Sequence, residues 1–236
     1  MKRLFAPGCA LLIYKPALAK KVHELLCKNL GDMEMLDLCC MNEPEIEPGA
    51  QVINVCPGCD KRYREREGSS TISLWEVLSA SDSFDFPDYG GNTVSIIDAC
   101  PTRTEVRVHR AVRTLLGRMN IVLVEPKNSG LKSTCCGDSG WGKIPVEAVK
   151  EIMRKRASEM PVEDVVVYCV SCAKSVFIGG KKPRYLVDLL FGEDTIKKTF
   201  EPDEWHKELD EFTATHRTVW RSTPLGESHF RPPRRK

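Results

Sequence analysis

Ten of the eleven cysteines fall into two copies of one order: a single Cys, an adjacent Cys-Cys pair, then Cys-x-x-Cys. The first copy is Cys9, Cys39-Cys40 and Cys56-Pro-Gly-Cys59; the second is Cys100, Cys135-Cys136 and Cys169-Val-Ser-Cys172. Cys27 stands outside both and reads as an ordinary thiol on a helix flank. Tetrahedral zinc closes with four ligands, so five thiols per copy point to a larger inorganic cofactor, and iron in a sulfide cluster is held by thiolates. Disulfide exchange at a free Cys-x-x-Cys is the competing chemistry. A disulfide framework fits poorly, because such frameworks belong to short secreted chains and an odd count leaves one thiol over.

The elements that must position these thiols repeat as well. A short apolar run enters each single Cys, Leu4 to Cys9 and Val94 to Cys100, and reads as a buried strand. An amphipathic helix follows in both copies, with Leu18, Val22, Leu25 and Leu26 on one face in the first. Val108, Val112, Leu115, Leu116 and Met119 form the matching face in the second, and Pro16 suits the opening turn of the first helix. Strands over Met33 to Leu38 and Ile121 to Val124 come next. Further strands over 52–55 and 165–168 deliver Cys56 and Cys169 directly. Alternating strands and helices predict an α/β fold of two duplicated, mainly parallel halves, because parallel pairing needs a long crossover. Cys9, Cys56, Cys100 and Cys169 all fall at strand carboxyl ends, where such sheets gather ligands. Cys-x-x-Cys at a strand-to-helix junction puts two thiols one turn apart, and the helix amino terminus favours the thiolate.

The copies differ in one place. Between the Cys pair and the Cys-x-x-Cys lie 15 residues in the first and 32 in the second, and the surplus, Pro145 to Met160, reads as a helix. The first copy has instead the loop Met41 to Ala50. Gly137 follows the second pair and helps the backbone bend so that neighbouring thiols reach one site; Met41 stands in its place in the first.

Cys100, Cys135-Cys136-Gly137 and Cys169-x-x-Cys172 resemble the cysteine-rich, or CCG, domain found twice in the B subunit of heterodisulfide reductase, and related subunits of lactate, glycolate and glycerol-3-phosphate oxidising enzymes. The resemblance spans roughly residues 3 to 192. It implies two non-cubane [4Fe-4S] clusters, one on Cys100, Cys135, Cys136, Cys169 and Cys172, the other on Cys9, Cys39, Cys40, Cys56 and Cys59. The first set departs from the motif by its short gap and Met41, so zinc or a simpler centre stands as the alternative there. The implied activity is that of an oxidoreductase acting on sulfur groups, reducing a small disulfide or thiol substrate with electrons from an iron-sulfur or flavin partner subunit. No residue is assigned a catalytic role.

Two other classes stand beside this reading: an electron-transfer subunit without a substrate of its own, and a zinc-stabilised interaction module. The sequence contains no ferredoxin-type cysteine run, no Gly-x-Gly-x-x-Gly and no Gly-x-x-x-x-Gly-Lys-[Ser/Thr]. With 35 basic against 33 acidic side chains among 236 residues, nucleic-acid binding is not expected. No apolar run reaches the roughly 20 residues of a membrane span, and no secretory signal is evident, so a cytoplasmic protein is expected. His23, His109, His206, His216 and His229 lack metal spacing and are expected to be solvated, as is the basic run Lys61 to Arg66 unless it offsets cluster charge. The expected organisation is a first half at 1–78, a linker at 79–92, a second half at 93–192, and a polar, basic, flexible extension at 193–236. Trp205 and Trp220 leave open that this extension docks.

Overall fold

The computed structural model describes residues 1–36, 46–68, 70–196 and 201–222, with side chains to residue 215. Cys39, Cys40 and Met41 lie outside the described residues, as do the His216, Arg217, Trp220 and Arg221 side chains and the basic residues of the terminus.

Strands of four to five residues built around Leu-Phe, Val-Ile, Ile-Ile and Val-Val-Val make the centres of the sheets. In the first half, β1 (Arg3–Ala6) leads into α1 (Cys9–Tyr14) and α2 (Pro16–Leu30). Next come β2 (Glu34–Met35), β3 (Gln51–Asn54), α3 (Pro57–Arg64), β4 (Ser70–Ser73) and α4 (Leu74–Ser79). The second half repeats the order: β5 (Thr93–Ile97), a 3-10 turn at Cys100–Thr102, α5 (Val106–Arg118) and β6 (Val122–Leu123). It continues with α6 (Val146–Ser158), β7 (Asp164–Val167), α7 (Val170–Ile178), β8 (Lys182–Tyr185) and α8 (Leu186–Leu190). Each half forms a four-stranded, all-parallel sheet of the same topology, β2-β1-β3-β4 and β6-β5-β7-β8. The expected α/β fold in two duplicated halves is the observed one. Among the described residues no helix is long and apolar enough to cross a membrane.

Strand alternation divides the first sheet's side chains between two layers. Phe5 and Ile53 join the main core with Leu18, Val22, Leu26 and Trp75, while Leu4, Ala6 and Val52 join a small second cluster with Cys59 and Tyr63. The main core runs on without a break into the second half through Val94, Ile96, Val112, Val166 and Tyr168. Polar contacts also cross between the halves: Tyr14 donates to Asp188 at 2.6 Å, Lys21 meets Glu193 at 2.6 Å, and Arg64 pairs with Glu105.

The stretch expected as a linker and the described part of the expected extension both pack on the fold. In the 79–92 stretch Phe84 is buried, and the Arg118 guanidinium donates to the carbonyls of Leu78, Ser81 and Phe84 at 2.7–3.1 Å. Beyond Glu193 the chain forms α9 (Pro202–Ser222), which lies against α1 and α6 and buries Trp205. Trp205, Leu209 and Phe212, at i, i+4 and i+7, are the sequence signal for that helix, outweighed in the composition by the polar residues around them.

Candidate metal centre

Two strand ends and one loop of the second half converge. Cys100 opens the 3-10 turn after β5, Cys135 and Cys136 occupy the loop before α6, and Cys169 is the residue capping α7, with Cys172 in its first turn. All five are free thiols, and they lie near enough to influence one another's ionisation in the order Cys100, Cys135, Cys136, Cys172, Cys169. Cys135 is the thiol whose surroundings most favour the anion. Hydrogen bonds from Cys100 and then Cys136 hold its thiol far below the usual range, with Ser139 Oγ at 3.0 Å and the Gly137 N–H at 3.4 Å adding to the effect. The same bonds push Cys100 and Cys136 up, since each is the donor to that thiolate, and Cys172 is raised by its bonds to Cys136 and Cys169.

Gly137 makes the adjacent pair possible. Its φ of 112° lies in the left-handed region, and a Cβ there would stand 2.8 Å from Met153 Cγ and 3.1 Å from the Met153 nitrogen, both on α6. Bend and close approach both exclude a side chain.

A buried polar frame holds Cys100 from behind. The Asp98 carboxylate takes both terminal nitrogens of Arg113 at 2.8 Å and the Gly130 N–H at 2.7 Å. Burial alone would raise this carboxyl, but Arg113 and the backbone donor keep it below its ordinary value. Ser133 Oγ donates to the Asp98 carbonyl at 2.6 Å, and buried Arg156 donates to the Asn128 carbonyl at 2.8 Å. The Tyr168 hydroxyl accepts from the Ala99 N–H at 3.0 Å, so the residue before Cys169 steadies the residue before Cys100. His109 is buried beside this frame, and among the described residues its Nε2 has no hydrogen-bond partner.

In the first half Cys9 opens α1 directly after β1, and Cys56 caps α3 with Cys59 in its first turn. Gly8, at φ 80°, brings the Cys9 turn onto the Cys-x-x-Cys: a Cβ there would meet Cys56 Cβ at 3.0 Å and Cys59 Sγ at 3.3 Å. Behind Cys59, buried Asn54 donates to Asp60 at 2.8 Å and to Thr71 at 2.7 Å, while Arg64 pairs with Asp60. The expected partners Cys39 and Cys40 fall outside the described residues. Cys27 lies apart, its Sγ 3.4 Å from His23 Nε2 on α2.

The two thiol sets adjoin. Helix α3 packs against the Cys100 turn, and α1, which begins at Cys9, packs against α7, which holds Cys172. The Tyr185 phenol, pushed up mainly by burial, is raised further by its proximity to both Cys56 and Cys169.

Three histidines expected to be solvated are instead engaged. His23 stacks on Phe5, His109 is buried, and His206 stacks on Trp141 with centroids 3.8 Å apart. An imidazole is half apolar, and spacing that rules out metal ligation says nothing about packing. In the basic run, Lys61 and Arg62 are exposed as expected, while Arg64 is drawn into the Asp60 and Glu105 pairs.

The second set suits a thiolate-ligated cluster by its donors: five sulfurs, no nitrogen or carboxylate in the string, and amide and hydroxyl donors turned to the most anionic sulfur. Among the described residues no three His, Cys, Asp or Glu side chains converge on a single-ion position. No protein-family model and no curated protein matches this chain.

Proposed function

We propose that the chain is an iron-sulfur redox protein of the heterodisulfide reductase type, resembling the CCG-domain component of that enzyme. In this reading Cys100, Cys135, Cys136, Cys169 and Cys172 hold one [4Fe-4S] cluster of the non-cubane type. Cys9, Cys39, Cys40, Cys56 and Cys59 hold the other, with zinc as the alternative occupant. The observation that carries it is the convergence of five free thiols from three loops of the second half, with Ser139 Oγ at 3.0 Å and the Gly137 N–H at 3.4 Å turned to Cys135. Thiolate ligands must be deprotonated, and here donors that favour the anion are already in place.

Such clusters, when bound, supply one-electron transfer and an iron at which sulfur can bind. The chain's own part is to hold the ligands. Asp98, Arg113 and Tyr168 fix the Cys100 turn, Gly137 bends the pair inward, and the α7 amino terminus favours negative charge at Cys169. The adjoining sets, with Tyr185 near both, support two centres serving one two-electron cleavage of a small disulfide. Electrons come from an iron-sulfur or flavin partner in a reducing compartment such as the cytoplasm.

The test is anaerobic purification followed by measurement of iron, acid-labile sulfide and zinc, electron paramagnetic resonance, and disulfide turnover with a chemical reductant. Iron and sulfide together with turnover are expected. Zinc without sulfide at both sites overturns the cluster reading, and clusters without turnover move the protein to the electron-transfer class.

A further inference from the structure

The first turn of α9 touches both loops that carry the second thiol set. Trp205 is buried, and its indole Nε1 donates at 3.0 Å to Ser171 Oγ, inside Cys169-Val-Ser-Cys172. Its ring also lies under the Lys174 ammonium, 3.3 Å from the centroid, one turn further along α7. The next residue reaches the other loop. His206 stacks on Trp141 with an interplanar angle of 6°, and its Nε2 lies 3.3 Å from Asp138 Oδ1, two residues beyond Cys136. Trp141 Nε1 in turn donates to Asp203 Oδ1 at 2.7 Å, and Lys150 of α6 meets Glu201 at 2.9 Å. Ser139, next to Asp138, is the hydroxyl against Cys135.

We propose that Trp205 and His206 are positioning residues for the second thiol site. Together they pin the Cys135-Cys136 loop and the Cys169-x-x-Cys172 turn to one rigid helix, so that sulfurs from separate segments keep the spacing a cluster needs. The proposal rests on the reading that this set holds a cluster. The geometry favours positioning over simple surface packing because the contacts fall on both thiol-bearing loops at once, close in sequence to Cys136 and Cys172. Ligand sets are held in shape by the shell that hydrogen-bonds around them, and loops without such a shell are loose.

The test uses the full chain with Trp205→Phe, which keeps an aromatic ring and removes the N–H, and with His206→Ala. Circular dichroism and thermal melting establish that each variant folds. In the metal-free protein, iodoacetamide labelling is followed thiol by thiol by mass spectrometry, with Cys9 and Cys56 as internal references. Each variant is expected to label Cys135 and Cys169 about fivefold faster, the change that loss of one hydrogen bond corresponds to, with the references unchanged. After reconstitution with iron and sulfide, the variants are expected to lose the second site's resonance while keeping the first. Variants that label and reconstitute like wild type overturn the proposal. Wild-type protein that takes up no iron and sulfide overturns the functional reading itself, an outcome distinct from a wild type that loads normally beside variants that match it.

Discussion

The two halves share a topology and a cysteine order, yet they support their thiols differently. Behind Cys100 the buried Asp98 carboxylate is bound bidentately by Arg113, whereas behind Cys59 the amide of Asn54 and the Arg64 guanidinium share the similarly buried Asp60. Burial raises Asp60, while the stronger pairing lowers Asp98 despite burial. The second half also has α6, and α6 accounts for a residue difference: Met153 leaves no room for a Cβ at Gly137. The first half has 15 residues where α6 and its loops take 32, and it carries Met41 at the matching place. Duplicated cysteines therefore do not make duplicated surroundings; what packs behind them decides how firmly they are held.

The largest effect expected to test this asymmetry comes from the ligands. Cys172→Ala and Cys59→Ala should each remove about half of the bound iron, and each should abolish a different resonance, if the sites are separate five-thiol centres. Loss of both signals from either variant would break the comparison into one shared site. Next in size is Arg113→Ala, which leaves Asp98 buried without its cation and should cost about 3–5 kcal/mol in urea denaturation. Arg64→Ala leaves Asp60 its Asn54 partner and should cost only about 1–2 kcal/mol; equal losses would contradict the stated difference in support.

Gly137→Ala should destabilise the fold by about 1–3 kcal/mol, because it combines a left-handed φ with contact against the Met153 backbone. Gly58, whose added Cβ would meet nothing nearer than 3.7 Å, is the contrasting position, and Gly58→Ala should leave the melting temperature nearly unchanged. The smallest effect concerns pH. Burial lowers His109 below the ordinary imidazole value of 6.5, with Arg113 acting in the same direction and Asp98 and Glu105 opposing. The unfolded chain therefore binds the proton first as pH falls, so this contribution to stability is complete above 6.5 and declines below it. His109→Gln should flatten the stability profile between neutral and mildly acidic pH, measured by urea denaturation across that range; an unchanged profile would contradict the burial-driven shift.

Much of this architecture was legible in the residues. Short apolar runs mark the central strands and place the cysteines at their ends, and the helix expected over Pro145 to Met160 is α6 at Val146–Ser158. Two of the four outer strands were not legible: Ser-Thr-Ile-Ser in β4 and Lys-Pro-Arg-Tyr in β8 lack an apolar run, because edge strands need bury only one side. Helix α1 was missed because six residues between Cys9 and Pro16 are too few to show a period. Buried Asp98, Arg156 and Lys174 were equally hidden, since charge by itself argues for the surface.

The sequence by itself determined the repeat, the α/β alternation and where the cysteines fall along it, because these depend on residue type and local spacing. Only the tertiary structure decided which groups stand behind each thiol and that α9 reaches both loops of the second set. Those partners, His206 with Trp141 and Trp205 with Ser171, lie 65 and 34 residues apart in the chain. Contacts at such separation follow from how sheets and helices pack, which no local pattern encodes.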